Sequence, residues 1–206
     1  MIKTAVLVSG GGTNLQALID ASAAGEMPHA ALSLVVSSRA DAFALERAKR
    51  ASIPAAVVAR KEYASAEEYS DAMLALLREN GIGLIVLAGF LSILSPAFCK
   101  AYEGRILNIH PSLIPSFCGR GFYGLRVHEA ALERGVKLTG ATVHFVNEIP
   151  DGGEILLQKA VAVHEGDTPE TLQRRVMEEA EWVLLPQAAE LAARRLEEAG
   201  TTERKV

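Results

Sequence analysis

Cysteine is scarce in this chain. There are two among 206 residues, Cys99 and Cys118. Two cysteines make no disulfide framework, and no neighbouring Cys or His spacing matches a zinc site. Both are expected as free thiols in a reducing cytoplasm. Positive charge is also in short supply, with 21 Lys and Arg against 25 Asp and Glu. No basic stripe stands out, which argues against a nucleic-acid surface. No apolar run reaches the roughly 18 residues that a membrane span needs. The opening MIKTAVLVSGGG is short for a secretory signal and runs straight into glycines, so it reads as a first strand. Repeats, linkers and low-complexity segments are missing as well.

Apolar residues are plentiful. Half the residues are hydrophobic and 22% are charged, enough for an independent core. A single domain is expected over residues 1–198, with 199–206 as a tail. Short apolar runs at 3–9, 32–37, 55–59, 83–88 and 105–109 are bounded by breakers, as buried parallel strands are. Helical spacing lies between them at 14–23, 40–51 and 66–79, and Ser95-Pro96 opens a short helix. Further on, the rhythm changes. TGATVHFV and EILLQKAVAV are two strands joined only by NEIPDGG, which predicts antiparallel additions. A long amphipathic helix follows from Pro169 to about Glu198, with a break expected near Pro186. The expected fold is α/β: a doubly wound, Rossmann-like, mostly parallel sheet with antiparallel additions in the C-terminal half.

Three motifs fall at the carboxyl ends of predicted strands. SGGGTN, residues 9–14, joins the first strand to the first helix. Its glycines allow backbone N–H groups to approach an anion at a helix N-terminus. The alternative is a tight turn. No Gly-Lys-Ser/Thr follows, so it is not a P-loop, and the dinucleotide fingerprint lacks its third glycine. Ser37-Ser38-Arg39 could meet a 2′-phosphate, but no tyrosine is followed four residues on by lysine, as a short-chain reductase requires. LAGFLSILSP supplies Phe90, Leu91, Ile93 and Leu94, either a platform for a flat ring or ordinary core. Asn108 and His110 lie two apart on a strand and so face the same way. Asn can donate to a developing oxyanion, and His can move a proton near neutrality. Loop signals crowd the stretch after them, with Pro111, Pro115, Gly119, Gly121 and Gly124. Asp151, in NEIPDGG, sits in ordinary turn chemistry. His128 and His144 read as packed or surface residues. Open α/β sheets bind ligands at strand carboxyl ends. The convergence predicts a transferase or hydrolase acting on a phosphorylated small molecule.

These segments are also similar to a known family. SGGGTNLQALI, VLAGFLSILSP, ILNIHPSLIPSF and TGATVHFVNEIPDGGEILLQ, with their spacing, closely resemble the phosphoribosylglycinamide formyltransferase branch of the folate-dependent formyltransferases. The likeness runs from about residue 3 to about residue 190. It implies formyl transfer from 10-formyltetrahydrofolate, as cosubstrate, to the amine of glycinamide ribonucleotide in purine synthesis. The products would be formylglycinamide ribonucleotide and tetrahydrofolate. No metal, nucleic acid or membrane is implied, and the assembly would be a monomer or homodimer. By resemblance, Asn108, His110 and Asp151 are catalytic, Gly11, Gly12, Thr13 and Asn14 hold the substrate phosphate, and Glu181 contacts the ribonucleotide. The folate site falls on Phe90, Leu91, Ser92, Ile93 and Leu94 and on Asn147, Glu148, Ile149 and Pro150. The chain departs from many relatives in having Ser92 and Ala66 where they carry Arg. The loop SFCGRGFYGLRVHEAAL differs from the shorter form of several relatives, and the helix before Glu181 is one residue longer than in some.

Overall fold

The structure, a computed structural model, describes residues 1–203. Seven strands form one sheet: β1 Ile2–Val8, β2 Ala30–Ser37, β3 Ala55–Val57, β4 Leu84–Leu87, β5 Ile106–His110, β6 Leu138–Phe145 and β7 Ile155–Ala162. Their spatial order is β3-β2-β1-β4-β5-β6-β7. The first five are mutually parallel, while β6 runs against β5 and β7 against β6. The strand order reverses between β1 and β4, where a crevice opens beyond the carboxyl ends. This is the α/β fold expected from the sequence.

The continuous apolar runs have a simple cause. Successive side chains point to opposite faces, and both faces are covered. Val6 and Val8 enter one core cluster, with α1 Thr13–Ala23 and α7 Trp182–Glu203. Ala5 and Leu7 enter the other, with α3 Ala66–Glu79 and Phe98 from α4 Pro96–Ala101. Local signals set several helix starts. Ser65 caps α3 by accepting from Glu68 N–H, and Ser95 caps α4 by accepting from Phe98 N–H with Pro96 in the first turn. The helix α2 Phe43–Arg50 is shorter than the expected 40–51.

Three expectations need correction. Residues 125–134, read as the end of a long loop, form the helix α5 Leu125–Arg134, opened and closed by glycines with positive φ. The glycines before Leu125 masked its helical spacing. The long C-terminal helix is interrupted at Met177–Glu181 rather than at Pro186, which lies inside α7. The interruption is a π-turn between α6 Pro169–Val176 and α7. A π-turn holds one more residue than an α-turn. Finally, α7 continues to Glu203, beyond the start of the expected tail at 199. Residues 204–206 of that tail lie outside the described residues.

Candidate active site

The register of β5 and β6 builds the site's centre. Asn108 pairs directly with His144, and His110 with Thr142. Leu107 and Ile109 turn into the core on the opposite face. β6 ends opposite Leu107, at the start of β5, and the turn after it folds back over the sheet. Asp151 at its bend has φ +54°. Asp tolerates this left-handed conformation better than most residues.

Asp151 then meets four groups. Its Oδ1 accepts from Asn108 Nδ2 at 3.4 Å and lies 3.5 Å from His144 Nε2. Its Oδ2 accepts from Gly119 N–H at 2.8 Å and lies 3.6 Å from His110 Nδ1. Burial alone would push this carboxyl up. The His144 hydrogen bond, the charge of His110 and the Gly119 N–H outweigh burial and hold it below the usual carboxylate value.

Backbone carbonyls fix the imidazoles, since a carbonyl only accepts. His144 Nδ1 donates to Phe145 O at 2.8 Å, which turns Nε2 toward Asn108 Nδ2 at 3.2 Å and Asp151 Oδ1 at 3.5 Å. His110 Nε2 donates to Phe117 O at 2.8 Å. In the imidazolium form both N–H groups of His110 face acceptors. Asn108, His110 and Asp151 are thus brought together as expected. His144, read from sequence as a packed or surface residue, joins them. Its signal was its place two residues from Thr142 on one strand face, but only the strand pairing brings it to Asn108.

The other strand-end loops adjoin this centre. Ser9 Oγ bonds Ser38 Oγ at 2.7 Å and accepts from Leu91 N–H at 3.0 Å, tying together the segments after β1, β2 and β4. The helix α1 starts at Gly12, with φ +72° and no side-chain cap. Asn14 is not turned toward a phosphate. Its Nδ2 donates to Glu181 Oε2 at 2.6 Å, and both residues are buried. Burial raises the Glu181 carboxyl above its ordinary value, and the bond from Asn14 opposes that. Asn14 Oδ1 is left buried and without a partner among the described residues. Arg39 is held by Asp41 through two bonds, at 3.0 and 2.7 Å.

Leu91 and Ile93 are 67% and 72% exposed, which makes the segment after β4 an open apolar ledge rather than core. Phe90 and Leu94 are half-buried against the same apolar cluster as Val146. Asn147, Glu148 and Ile149 line a cavity of about 280 Å³ with Pro96, Cys99, Lys100 and Glu103 of α4 and its flank. Asn147 Oδ1 accepts from Ile149 N–H at 2.9 Å and shapes this turn. Ser92 is half-buried beside the ledge, and Pro150 is exposed. Among the described residues no group of three or more His, Cys, Asp or Glu side chains is arranged to hold a metal ion.

His128, on α5, is fully buried, and neither ring nitrogen has a partner among the described residues. Burial, and then the charge of His110, pull its pKa down from 6.5 to about 4. The unfolded chain therefore takes up a proton at higher pH than the folded one. The neutral imidazole's contribution is full above pH 6.5 and lost as pH falls toward about 4. The loss should approach about 3 kcal/mol. Urea unfolding of the wild type and of His128→Leu across that range would show it. The variant's curve should be flatter, and parallel curves would sink the assignment.

A buried carboxylate, an apolar ledge and an Asn/His/Asp centre at strand carboxyl ends suit group transfer between small molecules. The comparisons make the class specific. Residues 2–188 match the formyl transferase family, and the chain belongs to it. It is 46% identical over 179 residues to a phosphoribosylglycinamide formyltransferase of Haemophilus influenzae, covering 87% of this chain and 82% of that one. It is 49% identical over 192 residues to the trifunctional purine biosynthetic protein adenosine-3 of Gallus gallus. That match covers 93% of this chain but only 18% of the longer protein. Among solved structures, glycinamide ribonucleotide transformylase 1 from Symbiobacterium toebii superposes with a TM-score of 0.88 at 44% identity. The superposition covers 94% of this chain and 88% of that one.

Proposed function

We propose that this protein is a phosphoribosylglycinamide formyltransferase. It transfers the formyl group of 10-formyltetrahydrofolate to the amine of glycinamide ribonucleotide. The observation that carries this reading is the meeting of Asn108 and His110, on β5, with Asp151, from the turn after β6. The family match and the names of the relatives agree with it. The phosphate sits on Gly11, Gly12, Thr13 and Asn14 through their backbone N–H groups. Glu181 takes the sugar hydroxyls. The folate ring lies over Phe90–Leu94 and reads the turn at 147–150.

The neutral amine attacks the formyl carbon, and the carbonyl electrons move to oxygen. Asn108 Nδ2–H donates to that oxyanion, exchanging its long 3.4 Å contact with Asp151 for a stronger one. Phe117 O holds the His110 imidazole beside the same oxygen, with Asp151 facing its Nδ1 at 3.6 Å. The proton lost by the attacking amine passes through this pair to the departing folate nitrogen as the carbon–nitrogen bond breaks. The free thiols Cys99 and Cys118 fit a reducing cytoplasm.

The test is deformylation of 10-formyltetrahydrofolate by purified protein, with and without glycinamide ribonucleotide. Turnover should require the ribonucleotide and yield formylated product. Equal turnover without it would mean a hydrolase and would overturn the phosphate assignment.

A further inference from the structure

We propose that Arg47 is a positioning residue for the phosphate loop, acting through the loop's backbone rather than by touching the phosphate. The proposal rests on the ribonucleotide reading above. Two successive carbonyls of the loop are tied to α2: Gly10 O accepts from Ala44 N–H at 3.1 Å, and Gly11 O accepts from Arg47 Nε at 2.8 Å. Both following peptide bonds are trans, since the one cis bond among the described residues is Ile114–Pro115. In a trans peptide the C=O and the next N–H point in opposite directions. Holding these two carbonyls against α2 therefore aims Gly11 N–H and Gly12 N–H away from α2. Neither amide donates to any acceptor among the described residues. Consecutive free amides of this kind form an anion nest.

The guanidinium is itself fixed. Its Nη1 donates to Gln16 Oε1 at 2.9 Å, and it stacks over Phe43 at 5.2 Å from the ring centre. The fit beneath the loop is close: a Cβ at Gly12 would come within 2.7 Å of Ala44 Cβ and 3.4 Å of Arg47 Cδ. Arg47 thus holds the loop from the α2 side, as Glu181 holds Asn14 from the other chain end.

Steady-state kinetics of the wild type, Arg47→Met and Arg47→Lys test this, with melting temperatures as a folding control. Losing one charge-assisted bond should raise KM for the ribonucleotide about 10-fold in Arg47→Met. KM for the folate and kcat should stay within about twofold, and Arg47→Lys should recover KM only in part, because an ammonium cannot make the Gly11 and Gln16 bonds and the Phe43 stack together. Raising ionic strength from about 0.05 to 0.5 M should leave the Met-to-wild-type ratio unchanged, because a positional effect is not screened. An unchanged KM, a parallel loss for both substrates, or a ratio that collapses in salt would each overturn the proposal. A wild type with no turnover would remove the function reading instead. Binding of inorganic phosphate, followed by amide shifts, would then decide for Arg47: equal affinity in wild type and Arg47→Met overturns it, and weaker binding in the variant supports it.

Discussion

Asp151→Asn will lower kcat by about 10³-fold while leaving KM for both substrates within about threefold. The carboxylate serves Asn108, His144, His110 and Gly119 N–H at once. An amide keeps the shape but has one acceptor atom and no charge. Its NH₂ must face either the His110 side, where Gly119 N–H also points, or the Asn108 side, where another donor waits. Either orientation sets donor against donor. The pH dependence follows from the sign of the shift. Asp151 is held below the usual carboxylate range, so the wild type stays ionised throughout the neutral region. The ratio of wild-type to variant kcat should therefore be flat between about pH 6 and 8. Tetrahydrofolate release at saturating substrates measures it. A ratio that shrinks as pH falls across that interval would show the wild-type carboxyl taking up a proton there, contrary to this electrostatic picture.

Asn108→Ala is expected to cost about 10²- to 10³-fold in kcat, the usual worth of one oxyanion donor. The ribonucleotide's affinity should change little, because its proposed contacts lie on the Gly11–Asn14 loop and at Glu181. His144 Nε2 loses its 3.2 Å partner in this variant but can meet water in the space vacated. A melting temperature near the wild-type value would confirm that the fold survives. Equal losses in kcat and in ribonucleotide affinity, measured by single-turnover and binding experiments, would remove Asn108 from the chemistry and make it a scaffold residue.

The parallel half of the fold was legible because its signal is local. Short apolar runs followed by helical spacing mark β1 to β4 without any knowledge of contacts. Asn108 and His110 were legible for the same reason, since a two-residue spacing on a strand fixes a common face. His144 was not, because its meeting with Asn108 depends on the register of an antiparallel pair formed 36 residues apart in sequence. Arg47 was hidden similarly, 36 residues from the carbonyl it holds. The apolar ledge could be named but not distinguished from core, as burial is a property of neighbours. The helix α5 lost its signature to flanking glycines, and Pro186 misled because an interior proline only breaks a helix when its missing N–H is the feature that decides the backbone path. Here the path is decided one turn earlier.

That earlier turn has a consequence for how the chain tolerates change in length. Met177–Glu181 carries its surplus residue as a local loop in the helical phase. Removing one residue ahead of Glu181 would let the two flanking helices run on as a continuous α-helix. The carboxylate would still face Asn14, and everything after Trp182 would keep its orientation. A chain one residue shorter at this point can therefore build the same carboxylate–amide pair.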